Sequence, residues 1–255
     1  MNDVVAILEG NRPLIWAFGL VFIRVGCVIS LLPSMTENIN TARARVVLTA
    51  IVAAAALPAA YPQLAPLGAK GFFPFVSEVV AGLIIGATIR LIFIALQFAG
   101  LVIAQATSLS MLFGGVGSEP QPVVSNFLLI AGLALAVSAG LLTKIVLFVL
   151  MSYEVFPAGQ LPGPALISAS LLDEVRRSTQ LAFLISVPFL IFSIISNVAF
   201  GFMNRAMPQL SVAFVGAPAL TLAGIGLMVI VLPVGLGIWH SHLNALLDVP
   251  LQVAP

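Results

Sequence analysis

From Phe75 to Ala106 the chain is one very long apolar run, carrying Glu78, Arg90 and Gln97. A helix that crosses a bilayer needs about 20 mainly apolar residues, and this stretch exceeds that length. Further apolar segments follow the same pattern. Leu14–Leu32 carries Arg24 and stops at Pro33, Val46–Ala60 is ended by Pro58 and Pro62, and Val123–Met151 has Lys144 near its end. Thr179–Met203 and Leu210–Trp239 close the set, joined by the polar turn Asn204–Gln209. The apolar residues are continuous rather than alternating, which argues against a transmembrane β-barrel. Helices satisfy their own backbone hydrogen bonds, so helix is the default in lipid. The expectation is an all-α polytopic membrane protein of about six long helical segments, some kinked or broken by Pro188 and Pro233.

Composition agrees. Of 255 residues, 61% are hydrophobic and 7% are charged, with a mean hydropathy of +1.19; soluble domains average about 25% charged. Ten basic and nine acidic residues cannot build the polar shell of a soluble globule. Their near balance and scatter give no footprint for nucleic acid. Cys27 is the lone cysteine, so an intrachain disulfide and a cysteine metal cluster are excluded. His240 and His242 are two apart, diverge on a helix, and have no third ligand near. No metal, cofactor or catalytic constellation is expected: HExxH, GxSxG and Walker A patterns are missing from the sequence.

The connections say less. Met1–Arg12 lacks a basic n-region, and the run after it is too long for a signal peptide, so the first segment is expected to be retained. Tyr61–Pro74 carries Pro62, Pro66 and Pro74 and reads as an extended connection, while Ser152–Ser178 is the main polar interval. Under six spans, Arg43, Arg45 and Arg205 fall on one side and Arg12, Lys70, Arg176 and Arg177 on the other. The excess of Lys and Arg that normally fixes orientation therefore does not fix it here.

Arg24, Glu78 and Arg90 lie inside apolar segments, where a charge costs roughly 2.5–3.5 kcal/mol on insertion scales. Twelve helical steps separate Glu78 from Arg90, leaving them on different faces and roughly 18 Å apart. Each therefore needs a partner from another segment or chain, and structural ion pairs are favoured over a proton path. Gly82 and Gly86 form a GxxxG pair, a weak signal in a chain with 21 glycines.

Ser108–Pro122 is the most unusual connection. Gly114, Gly115 and Gly117 disfavour helix and Pro120 and Pro122 stop it, yet Leu109, Met111, Leu112 and Phe113 are bulky and apolar. Irregular backbone at membrane depth is tolerated where it lines a cavity, and hydrophobic constrictions can gate pores. A pore-lining or pore-closing loop is the expected role.

The stretch from Asn204 to Pro218, NRAMPQLSVAFVGAP, resembles the signature of the FliR family, called SctT in injectisomes. Phe22-Ile-Arg24-Val-Gly26 with Leu32-Pro33 resembles that family's first segment, and Thr41-Ala-Arg43-Ala-Arg45-Val its first loop. Glu78-Val-Val-Ala-Gly82-Leu-Ile-Ile-Gly86, then Arg90 and Gln97-Phe-Ala-Gly100, resembles its long central helix. Ser152 to Pro157-Ala-Gly159 resembles a later turn, and Glu119-Pro120 fits the acidic-proline pair of its central loop. The likeness covers nearly the whole chain in order.

The resemblance implies a core component of the flagellar type III protein export gate, or alternatively of an injectisome gate. A small-solute secondary transporter is the rival from another class, though no inverted repeat or clustered polar site is visible. The family implies no enzyme activity and a helical, pore-forming assembly with FliP-like and FliQ-like chains. FlhB-like and FlhA-like export components and unfolded exported proteins would be further partners. Residues 1–178 would be the FliP-like part and 179–255 the FliQ-like hairpin. By the same comparison Ser108–Pro122 maps onto a plug loop, with Met111 and Phe113 as seal residues. Arg24, Arg43, Arg45, Glu78, Arg90 and Arg205 become contacts between subunits or helices, and Pro208, Gln209, Gly216 and Pro218 a structural turn. The assembly would sit in the bacterial inner membrane within the flagellar basal body, its core raised toward the periplasm.

Overall fold

The computed structural model describes residues 11–33, 42–67, 71–107, 123–206 and 212–248. Among them the chain is helical, with seven α-helices and no strand. They are α1 (Arg12–Leu31), α2 (Ala42–Leu64), α3 (Phe73–Thr107), α4 (Val123–Ser138), α5 (Leu141–Val155), α6 (Pro164–Ala206) and α7 (Val212–Asp248). By length and composition α1, α2, α3, α6 and α7 can each cross a membrane, and α4 with α5 would make a sixth span. The protein is an integral membrane protein. Its outward residues fit that setting: Ile194, Phe202, Leu222 and Ile230 are all more than 60% exposed. Such a surface is stable only against lipid or another protein.

Local chemistry sets the helix ends. Pro13 sits in the first turn of α1, where its missing N–H costs nothing. At the other end Leu32 is extended (φ −65°, ψ 131°) because Pro33 follows, and a residue before proline is pushed out of the helical region. Phe156 ends α5 in the same way before Pro157.

Three readings of the connections are corrected. Pro58 and Pro62 do not end the second segment; α2 continues through both to Leu64, and a 3₁₀ turn, Ala65–Leu67, follows. An internal proline costs about 3 kcal/mol, but Ala56, Ala60 and Leu64 are buried at four-residue spacing and hold the helix on its neighbours. Residues 164–178, expected in a polar interval, are the first turns of α6; their charges flank the start of a helix too long for the bilayer alone. Finally, Val123–Met151 is not one straight helix. Gly140 adopts a left-handed conformation (φ 81°, ψ 34°), and the helices on either side are bent by 75°. A residue with a Cβ pays about 1–2 kcal/mol in that conformation, so glycine is required at the bend.

The chain divides into two compact units that interleave along the sequence. The first holds residues 1–91, 137–175 and 243–255. Here α1 and α3 run parallel, since Trp16 meets Phe75, Arg24 meets Glu78, and Val28 and Leu31 meet Gly86. Gly82 and Gly86, a weak signal in the sequence, prove to be points of close approach. A Cβ on Gly82 would lie 2.6 Å from the Arg24 carbonyl oxygen, and one on Gly86 would lie 3.1 Å from the Val28 Cα. The second unit holds residues 92–136 and 176–242. In it the later half of α3 is central. Ser125 of α4 donates to the Gln97 carbonyl at 2.9 Å, and Phe98 meets Phe183 of α6 edge-on. Trp239 of α7 is fully buried and donates its indole N–H to the Ile92 carbonyl at 2.9 Å. Its ring packs edge-on against Phe93.

Candidate functional site

The polar centre of the first unit is built on three helices. α1 supplies Arg24, α3 supplies Glu78 from its second turn, and the end of α5 supplies Ser152, Tyr153 and the Phe156 carbonyl. Helical period puts Arg24 on the buried stripe of α1 with Leu20, Val21 and Val28. Arg24 is 1% exposed and Glu78 is fully buried.

Each nitrogen of the guanidinium donates a hydrogen bond. Nε donates to Glu78 Oε2 at 2.5 Å and Nη2 to Oε1 at 3.1 Å, a forked pair that matches planar guanidinium to planar carboxylate. Nη1 donates to Ser152 Oγ at 3.1 Å, and Nη2 also reaches the Phe156 carbonyl at 3.0 Å. The Tyr153 ring lies under the guanidinium, 3.6 Å from its carbon to the ring centroid, and its hydroxyl donates to Glu78 Oε2 at 3.4 Å. A cation over a tyrosine face gains further attraction where water is excluded. The Phe156 carbonyl lies just past the end of α5, so the cation also sits at a helix C-terminus, where positive charge is favoured. This arrangement ties three helices at one point. It offers a solute no open polar group, because each charge is spent on its neighbours.

The other residues singled out in the sequence do not gather there. Arg43 is exposed in the first turn of α2, and Arg45, half-buried, follows it. Arg205 is exposed in the last turn of α6, where its charge complements the helix terminus. Arg90 lies half-buried midway along α3. Gly216 and Pro218 fall within α7 rather than in a turn before it. Ser108, Leu109, Met111, Leu112, Phe113, Gly114, Gly115, Gly117, Glu119, Pro120, Pro208 and Gln209 lie outside the described residues. Sequence reasoning passed over Tyr153 and Trp239. The signal was there: the chain has two tyrosines and two tryptophans, and a polar aromatic inside an apolar run needs a partner for its polar atom.

The helices, their length and their buried polar knot define a polytopic helical membrane protein with an ion pair tying three of its helices. Residues 15–246 match the profile of the bacterial export proteins, family 1. The chain belongs to that family. It is 27% identical over 244 residues to a flagellar biosynthetic protein FliR of Caulobacter vibrioides, covering 92% of this chain and 96% of the relative. It is also 24% identical over 218 residues to the protein of that name from Pectobacterium carotovorum, covering 83% and 82%. The Escherichia coli K12 protein of that name is 24% identical over 220 residues, covering 83% and 82%. The family read from NRAMPQL and the motifs before it is thus the family matched.

Proposed function

We propose that the chain is a structural subunit of the flagellar type III protein export gate. In this reading it joins FliP-like and FliQ-like chains to form the pore through which unfolded flagellar subunits cross the inner membrane. FlhB-like and FlhA-like components complete the apparatus, and energy comes from partners rather than from this chain. The observation that carries the reading is the family match from residue 15 to residue 246, with a relative named FliR matched over 96% of its length. Residues 1–178 would be the FliP-like part, 179–255 the FliQ-like hairpin, and Ser108–Pro122 the plug. Met111 and Phe113 would exclude water at rest and repack when substrate passes. The core would stand toward the periplasm.

The state of the buried charges supports a scaffold over a solute transporter. A transporter needs polar groups free to bind and release its cargo near the midplane, whereas Arg24 and Glu78 are fully occupied by each other and by α5. The test is secretion. Cells lacking this chain should export no flagellar subunits, and the wild-type chain should restore export. Normal export without the chain would refute the proposal.

A further inference from the structure

Arg43 and Arg45 on α2 and Arg90 on α3 are far apart in sequence, and the packing of the first unit brings them to one level. α2 runs antiparallel to α1: Thr49 lies beside Gly26, and the 3₁₀ turn that follows the far end of α2 also meets α1. Arg45 is one turn before Thr49, and Arg43 lies just before that. α3 runs parallel to α1, with Gly86 against Val28 and Leu31, and Arg90 is one turn further on. All three arginines therefore stand within about one turn of the end of α1.

They share a chemical state. Arg43 is exposed, and Arg45 and Arg90 are half-buried. None of the three forms an ion pair or a side-chain hydrogen bond among the described residues, and Arg45 Nε is buried without a partner. Below this level the outward side chains are apolar: Val46, Val47 and Ile51 on α2, and Leu83 on α3. At the opposite end α1 begins with exposed Arg12. The rise from Arg12 to Leu31 is about 29 Å, close to the roughly 30 Å of a bilayer's hydrocarbon core. Arginines thus bracket an apolar band one bilayer deep. Long cationic side chains at such a boundary reach out to the headgroups. The guanidinium fork fits phosphate oxygens, and an anionic headgroup attracts it further.

We infer that Arg43, Arg45 and Arg90 form a belt that takes the phosphates of anionic phospholipids and so fixes the depth of the first unit in the bilayer. The inference needs only the membrane setting of that unit and does not rest on the export reading.

The experiment uses the full chain, purified in mild detergent with phosphatidylglycerol and phosphatidylcholine in equal amounts. Native mass spectrometry counts the lipids retained on each chain. The wild type should retain phosphatidylglycerol over phosphatidylcholine by about tenfold. The triple variant Arg43→Gln, Arg45→Gln, Arg90→Gln should lose that preference, and lysine at the same three positions should keep most of it. Equal retention of the two lipids by the wild type would overturn the inference, as would an undiminished preference in the glutamine variant. Displacement of the lipid by inorganic phosphate would assign the arginines to a free anion and overturn it too. A second measurement needs no variant. Phosphatidylglycerol with a photoreactive group on its headgroup should label Arg43–Val47 and Ala87–Arg90, and with the group at the end of its chain it should label Ile51 and Leu83. Labelling of Ile51 and Leu83 by the headgroup probe would place the arginines away from the boundary and refute the belt.

Discussion

Arg24 on α1 and Glu78 on α3 are 54 positions apart and meet through a forked pair of hydrogen bonds, with neither side chain in contact with solvent. A buried pair of this kind contributes little net stability against an apolar replacement, but removing one partner leaves an uncompensated charge. Glu78→Ala and Arg24→Ala should each destabilise the protein by about 3–5 kcal/mol. The double variant Arg24→Met with Glu78→Leu should recover much of that loss. Thermal unfolding of the detergent-purified chain reads both effects. A loss in the double variant equal to the sum of the two single losses would show that the pair is not coupled.

The parallel packing of α1 on α3 depends on two glycines. Gly82→Leu and Gly86→Leu push a side chain into α1 and should cost about 1–3 kcal/mol each. Gly226 and Gly237 of α7 have open space beside them, so alanine there should be near neutral or slightly stabilising. The contrast in midpoints between the two pairs checks the register without reference to function.

At the bend between α4 and α5, Gly140 meets no atom that a Cβ would strike. Any loss in Gly140→Ala therefore comes from the left-handed backbone, about 1–2 kcal/mol. Gly163→Ala, also in open space but without a positive φ, should show no such loss.

Trp239 anchors α7 to α3 in the second unit. Trp239→Phe keeps most of the ring but removes the donor to the Ile92 carbonyl, a loss of about 1 kcal/mol for the bond alone. Trp239→Ala empties a buried site and should cost about 3–5 kcal/mol. The ratio between the two, read by thermal unfolding, separates the hydrogen bond from the packing.

The sequence carried the helices because apolar runs of this length have few other solutions in lipid. It misplaced their ends where tertiary packing overrode local preference. Pro58 and Pro62 are helix breakers in isolation, but the buried stripe Ala56, Ala60 and Leu64 keeps α2 intact. The bend at Gly140 was hidden in a run that is apolar on both sides, since apolarity says nothing about direction. Arg24 and Glu78 were visible as charges that each required a partner, yet pairing them across 54 residues needs three dimensions. Tyr153 showed its need for a partner, but that it and Ser152 meet this ion pair was hidden for the same reason. The candidate gate segment, Ser108–Pro122, rests on its glycines, its bulky apolar residues and family resemblance.

For that segment the expected outcome is functional rather than structural. Replacing Gly114, Gly115 and Gly117 by leucine should disturb gating, seen as reduced subunit secretion or as ion leak through the resting membrane. Normal export together with a normal resting leak would remove Ser108–Pro122 from the gate.

Membership in a hetero-assembly shows in the mass of the purified complex. The chain is co-expressed with FliP-like and FliQ-like partners, extracted in mild detergent and weighed intact. One discrete assembly containing a single copy of this chain is expected. A stable lone monomer or homo-oligomer, indifferent to those partners, would contradict it.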